Sequence, residues 1–150
     1  MTGSSTTLVE GIDVPAVSAW LTATVDGVQA PFTFELIAGG RSNLTYRVTD
    51  AAGRSLALRR PPVSHVLPTA HDMKREHTVI SALGATDVPV PETFGLCTEE
   101  SVNGAPFYVM DFIEGLILRD EASAADLDLT TRRRSGESLV DTLADLHDVD

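Results

Sequence analysis

Two adjacent arginines, Arg59 and Arg60, end the apolar run "SLALRR" directly before a proline pair. Side chains alternate faces along an extended strand. Ala57 and Arg59 therefore share one face, and Leu56, Leu58 and Arg60 share the other. A small residue two positions before a cation leaves room for a flat ligand whose phosphates the cation can reach. A strand end whose arginines meet only water fits the same pattern. Seventeen positions after Arg59 comes Glu76, on one helical stripe with Met73, Ile80 and Leu83. A carboxylate facing an apolar interior is costly unless paired, so an inward Glu76 needs one of those arginines. At the edge of the stripe it would reach water instead. Upstream, "GGRSN" sets Gly39 and Gly40 between two strand-like segments, followed by Ser42 and Asn43. Backbone N–H groups in such a turn, with a serine hydroxyl, can cradle phosphate. An ordinary hairpin turn reads the same way, and GxGxxG spacing is absent. Downstream, "FYVMDFIEG" is a strongly apolar strand that leaves its sheet through an acidic residue towards Gly115.

The rest of the composition narrows the field. The chain has 150 residues, 43% of them hydrophobic, and a formal net charge of −11. That size suits one globular domain, or one and part of another. Such acidity argues against a nucleic-acid or anionic-membrane partner, since phosphate surfaces select basic faces. The single cysteine, Cys97, excludes an internal disulfide and reads as a small core hydrophobe. The four histidines, His65, His71, His77 and His147, show no metal-ligand spacing, so no metal site is expected. The N-terminus "MTGSSTT" is polar and has no basic region followed by an apolar run, and no stretch is long enough to span a bilayer. A soluble cytoplasmic protein is the expectation.

These residues need a scaffold. "DVPAVSAWLTATV" predicts a helix with Asp13 as its N-cap. "FTFELIAG", "LTYRVTD" and "SLALRR" alternate apolar and polar residues and predict a three-stranded antiparallel meander, closed by the turn "DAAGR". "TAHDMKREHTVISALGA" predicts a helix from a capping-box-like Thr69 and Asp72 to Gly84. "TFGLCTE" and "PFYVMDFI" predict two more strands around a turn "SVNGA". "DLTTRRRSGESLVDTLADLHDVD" returns to helix. The order is thus β-β-β-α-β-β, with a boundary near Gly115.

Taken together, the glycine turn, the strand ending in a cation, the helix with an inward Glu and "YVMDFIEG" resemble the N-terminal lobe of a protein-kinase-like phosphotransferase. "LALRRPP", "HDMKREHTVISAL", "DVPVPETFGLC" and "PFYVMDFIEG" are most similar to the aminoglycoside phosphotransferase (choline-kinase-like) family, in the branch associated with acyl-CoA dehydrogenases. The resemblance covers roughly Phe32 to Asp148 and implies an ATP-dependent kinase using Mg²⁺. It places Gly39, Gly40, Ser42 and Asn43 in the phosphate loop. Arg59 stands where the family has a lysine on the α- and β-phosphates, with Glu76 as its partner. Ala57 borders the adenine pocket and Met110 guards its back. The Asp111 carbonyl and the Ile113 N–H meet the adenine edge, with Phe112 beside it. Arg60 is left to solvent or an acidic neighbour.

Two departures stand out. The strand cation is Arg, which is bulkier than Lys and binds in a planar fork. The family's His-Gly-Asp loop with a following Asn, and the later metal-binding Asp, do not occur. "LHDVD" at His147 closes a helix and has no Asn after it. No catalytic residue is therefore assigned here, and the Mg²⁺ ligands are expected in a second lobe.

The implied fold class is α+β, a five-stranded antiparallel sheet with flanking helices plus the first helices of a C-terminal lobe. The implied division is a disordered N-terminus over 1–12, an ATP-binding lobe over 13–114, and a linker with the first helices of a truncated second lobe over 115–150. The implied reaction moves the γ-phosphoryl group of ATP to the hydroxyl of a small molecule, hydroxyacyl-CoA or aminoglycoside-like. The competing account is a non-catalytic nucleotide- or partner-binding module. Leu139, Leu143 and Leu146 form an apolar stripe on the last helix. It either packs back on the first lobe or mediates self-association.

Overall fold

A computed structural model of the chain describes residues 9–38, 43–63, 72–118 and 120–149. Helix α1 (Val14–Thr24) is followed by strands β1 (Thr33–Ala38), β2 (Leu44–Thr49) and β3 (Ser55–Arg60). Then come α2 (Met73–Leu83), β4 (Thr93–Cys97), the short α3 (Glu100–Asn103), β5 (Phe107–Asp111) and α4 (Leu129–His147). The strands form one sheet in the order β1-β2-β3-β5-β4, with every neighbouring pair antiparallel. This is the five-stranded α+β arrangement expected from the sequence.

Local chemistry sets the elements. The Asp13 carboxylate accepts the Ala16 N–H at the start of α1. Asp50 organises the β2–β3 turn, where its oxygens accept the N–H groups of Gln29, Ala52 and Arg54 at 2.8 to 3.0 Å. Burial alone would raise the pKa of this carboxyl, but the backbone donors, Gly53 included, outweigh it and hold it below the ordinary 3.8.

The core lies on one face of the sheet. Val17 and Leu21 of α1 join Leu44, Tyr46, Val48, Leu56, Leu58, Phe107 and Val109 in one buried cluster. These are the apolar alternates of β2, β3 and β5, together with the apolar side of α1. Phe32, just before β1, belongs to the cluster and Phe34 of β1 packs against it, whereas Leu36 is exposed. Cys97 is buried in the same cluster, as a small hydrophobe. Trp20 packs edge-on against Phe107, with ring centroids 4.9 Å apart. The indole also lies over Gly95, where an added Cβ would stand 2.8 Å from Thr24 Cγ2 and 3.1 Å from the Trp20 ring.

Three local expectations need correction. Residues 9–12 are no disordered tail. Ile12 enters the core, the Tyr46 hydroxyl donates to the Glu10 carbonyl, and the Arg60 guanidinium donates to the Gly11 carbonyl. The segment "SVNGA" is not a bare turn. It forms α3, which ends on Gly104 with φ +68°, the left-handed conformation that suits glycine. Asp72 is itself the N-cap of α2 and accepts the Arg75 N–H, so it is not the inner residue of a capping box. Thr69, His65 and His71 lie outside the described residues. The stripe on α4 is also open within this chain, with Leu139 70% and Leu143 49% exposed. Packing back on the lobe is therefore not the arrangement adopted. The end of α4 borders a cavity of about 490 Å³, with Asp145, Asp148 and Val149 on one side and Thr86, Asp87 and Val88 on the other.

Two outcomes follow. Gly95→Ala forces Thr24 or the Trp20 ring to shift, and should cost about 1–3 kcal/mol in chemical denaturation, as overpacking does. An unchanged urea midpoint would refute that contact. A carboxyl whose folded pKa lies below its unfolded value adds stability above the unfolded value and loses it as pH falls through the folded one. Asp50→Asn should therefore lower the Tm at pH 7, and the gap to wild type should close as pH drops below about 4. A gap that stays constant down to pH 3 would rule out the carboxylate as its source.

Candidate active site

The face of the sheet opposite the core carries the polar alternates. Register pairs Thr45 with Arg59 and Arg47 with Ala57. It also pairs Arg59 with Tyr108 and Ala57 with Met110. Helix α2 sets Glu76 against this surface. Glu76 Oε2 accepts the Arg59 Nε–H at 2.9 Å and the Tyr108 hydroxyl at 3.1 Å. Its other oxygen, Oε1, accepts the Asn43 amide at 2.6 Å. Arg59 and Glu76 are each about one-third exposed, with side chains at 34% and 31%, whereas Tyr108 and Asn43 are buried. Burial, and then the Glu76 carboxylate, push the Tyr108 phenol well above its ordinary pKa, against a smaller opposing pull from Arg59. The phenol therefore stays a protonated donor. His77 sets its ring edge-on to Tyr108 with centroids 5.9 Å apart. Beside this cluster opens a cleft of about 460 Å³, lined by Arg59, Glu76, Val79, Ile80, Tyr108 and Met110.

Arg59 and Glu76 are thus brought together as the strand alternation and the helix stripe require. Arg60 goes the other way. It is buried on the core face, and its guanidinium donates to the carbonyls of Gly11 and Pro61. It is not left to solvent, and no acidic side chain pairs with it among the described residues, because a tucked N-terminal segment supplies a backbone acceptor. Burial lowers its pKa from the ordinary arginine value.

The exit from β5 is braced. Arg47 stacks over the Phe112 ring at 4.7 Å, pairs with Glu114 at 2.8 Å, and donates from Nε to Ser55 Oγ at 3.0 Å. The Asp111 N–H donates to the Glu92 carbonyl at 2.8 Å. Ile113 is 65% exposed, and its N–H finds no acceptor among the described residues. Ala57 is buried between Arg47 and Met110, its cross-strand neighbours. Gly39, Gly40 and Ser42 lie outside the described residues. Asn43 is described, and its amide is turned to Glu76.

Sequence reasoning missed Tyr108, Arg47 and the Glu76 contact of Asn43. The first two carried a usable signal. Alternation puts Tyr108 on the Met110 face of its strand, and Arg47 on the polar face of β2.

An antiparallel sheet in this order, with a helix lending a glutamate to the cation on β3, is the N-terminal lobe of protein-kinase-like phosphotransferases. Residues 33–150 match the family model described as the phosphotransferase enzyme family (APH), and the chain belongs to that family. Similar curated proteins include mouse acyl-CoA dehydrogenase family member 10, which is 37% identical over 74% of this chain and 10% of its own length. Rat acyl-CoA dehydrogenase family member 11 is 33% identical over 92% of this chain and 18% of its own length. The chain therefore spans less than a fifth of these relatives. A solved structure from Ralstonia eutropha JMP134, described as a "putative aminoglycoside phosphotransferase", is similar with a TM-score of 0.60 and 35% identity, over 72% of this chain and 30% of that one. No helix among the described residues is long and apolar enough to cross a membrane.

Proposed function

We propose that residues 13–114 form the ATP-binding lobe of a small-molecule kinase that transfers the γ-phosphoryl group of ATP to an acceptor hydroxyl. The observation that carries this reading is the Arg59–Glu76 pair. In a kinase-like lobe the cation on β3 holds the α- and β-phosphates, and the helix glutamate orients it. Arg59 suits both tasks at once. Its Nε–H is taken by Glu76, while Nη1 and Nη2 have no partner among the described residues. Two parallel N–H groups match a phosphate edge. A lysine would present a single nitrogen to both partners.

The rest of the nucleotide fits the same face. The adenine edge would meet the Asp111 carbonyl and the exposed Ile113 N–H, with Met110 behind it and Phe112 at the rim. Gly39, Gly40, Ser42 and Asn43 would belong to the phosphate loop, as the family resemblance implies. Mg²⁺ would accompany ATP and neutralise the charge that builds on the transferred group. Its protein ligands, like the catalytic Asp, belong to the second lobe in this reading. Among acceptors we favour a hydroxyacyl-CoA over an aminoglycoside-like molecule. The support is the similarity to proteins named acyl-CoA dehydrogenase family members.

Calorimetric titration with Mg·ATP tests the reading. Wild type should bind, and Arg59→Ala should weaken ATP about tenfold or more, the worth of charge-assisted hydrogen bonds. Adenosine affinity should be nearly unchanged. Ala57→Trp should abolish both. ATP binding that ignores Arg59→Ala and Ala57→Trp would sink the assignment. These 150 residues hold no His-x-Asp-x-x-x-x-Asn string. By themselves they are expected to bind ATP without substrate-dependent turnover, and turnover above a blank would contradict that.

A further inference from the structure

We propose that Tyr108 is a positioning residue: its buried hydroxyl, with the Asn43 amide, fixes the Glu76 carboxylate so that it engages only the Nε edge of Arg59 and leaves the terminal nitrogens to an anion in the cleft. This rests on the nucleotide reading for the identity of the anion as a polyphosphate.

A free carboxylate meeting a guanidinium prefers the two-pronged contact, in which both oxygens take parallel N–H groups. Glu76 does not make that contact here. Its Oε1 is held by Asn43 at 2.6 Å, and its Oε2 accepts both Tyr108 at 3.1 Å and Arg59 Nε at 2.9 Å. With both oxygens engaged, the carboxylate cannot turn to cover Nη1 and Nη2. Arg59 lines the cleft and keeps a third of its side chain exposed. Its terminal nitrogens are therefore available to a ligand, while the guanidinium plane is set from the side.

The three donors come from three separate places: the residue before β2, β3 and β5. Tyr108 is the one best suited to act as a fixed post. It is 1% exposed and sits mid-sheet, in register with Arg59 and Leu96. Its phenol also stays protonated over the working range, so it donates to Glu76 and never repels it. Asn43, directly before β2, closes the other side. The placement of Glu76, and with it the inward seat of α2, is thus built into the lobe before any ligand arrives.

Tyr108→Phe tests this, since it removes one hydroxyl and conserves the ring. Released from Oε2, Glu76 should rotate onto the terminal nitrogens of Arg59. ATP affinity should fall about tenfold while adenosine affinity changes by less than about twofold, a split that general loosening would not give. In a Glu76→Gln background, adding Tyr108→Phe should change ATP affinity no further, because the residue acts through Glu76. Equal weakening of ATP and adenosine, or a full additional loss in the Glu76→Gln background, would overturn the assignment. Should wild type bind neither ligand, the nucleotide reading falls, and the role of Tyr108 is decided by NMR of the Arg59 Nε–H. Slow exchange of that proton in wild type, lost in Tyr108→Phe, upholds the positioning role. Exchange that is the same in both proteins refutes it.

Discussion

The satisfaction of one carboxylate organises this lobe. Glu76 stands on a helix stripe that also carries Met73 and Ile80, so folding turns it from water towards the sheet. A carboxylate turned there still needs donors for its oxygens. Three donors meet it, from Asn43, Arg59 and Tyr108. The ion pair itself is one-third exposed, so solvent screens it and its own contribution to stability is small. Its larger effect is geometric. The donors converge on Glu76 from the residue before β2, from β3 and from β5, and together they seat α2 against the sheet.

That seat depends in turn on strand register. Every residue of the cluster on β3 and β5 belongs to the alternate set opposite the core, and a slip of one position would bury Arg59 and expose Leu58. Packing on the other face prevents the slip. Leu56, Leu58, Phe107 and Val109 are buried beneath α1 in a single cluster. Trp20 and Gly95 interlock tightly enough that a methyl group would not fit between them. The apolar face thus fixes the register, and the register delivers Arg59, Tyr108 and Met110 to the cleft.

Much of this was legible in the sequence, for a physical reason. Asp13 caps its helix through a bond three residues away, and the alternation of Leu44, Tyr46 and Val48 reports the burial of β2 directly. The Arg59–Glu76 pair spans 17 positions and could still be read, because strand and helix periodicity each predict a facing. The rest lay beyond local pattern. Tyr108 reaches Glu76 across 32 positions, and Asn43 across 33. Alternation gives the face of Tyr108, but nothing in "PFYVMD" marks it as a donor to a distant helix. Residues 9–12 look like a continuation of the polar "MTGSSTT" segment. Their place on the sheet is set by Tyr46 and Arg60, which capture two backbone carbonyls and bring Ile12 into the core. The short helix α3 was missed because its four residues are too few to show a period.

The two arginines show how far one residue of register separates two roles. Arg59 and Arg60 are adjacent and share one side-chain chemistry, yet the pleat sends them to opposite faces. On the open face Arg59 finds a carboxylate for Nε and keeps its remaining donors for the cleft. On the core face Arg60 finds no acid among its described contacts, and its charge is met by the carbonyls of Gly11 and Pro61. Gly11 makes that possible. Its φ of +70° turns the chain back, and a Cβ there would stand 3.0 Å from the Arg60 guanidinium. An N-terminal segment folded over a buried cation thus replaces the solvent that a strand end would otherwise need. The sheet can then end in two charges, one facing the cleft and one held by backbone carbonyls.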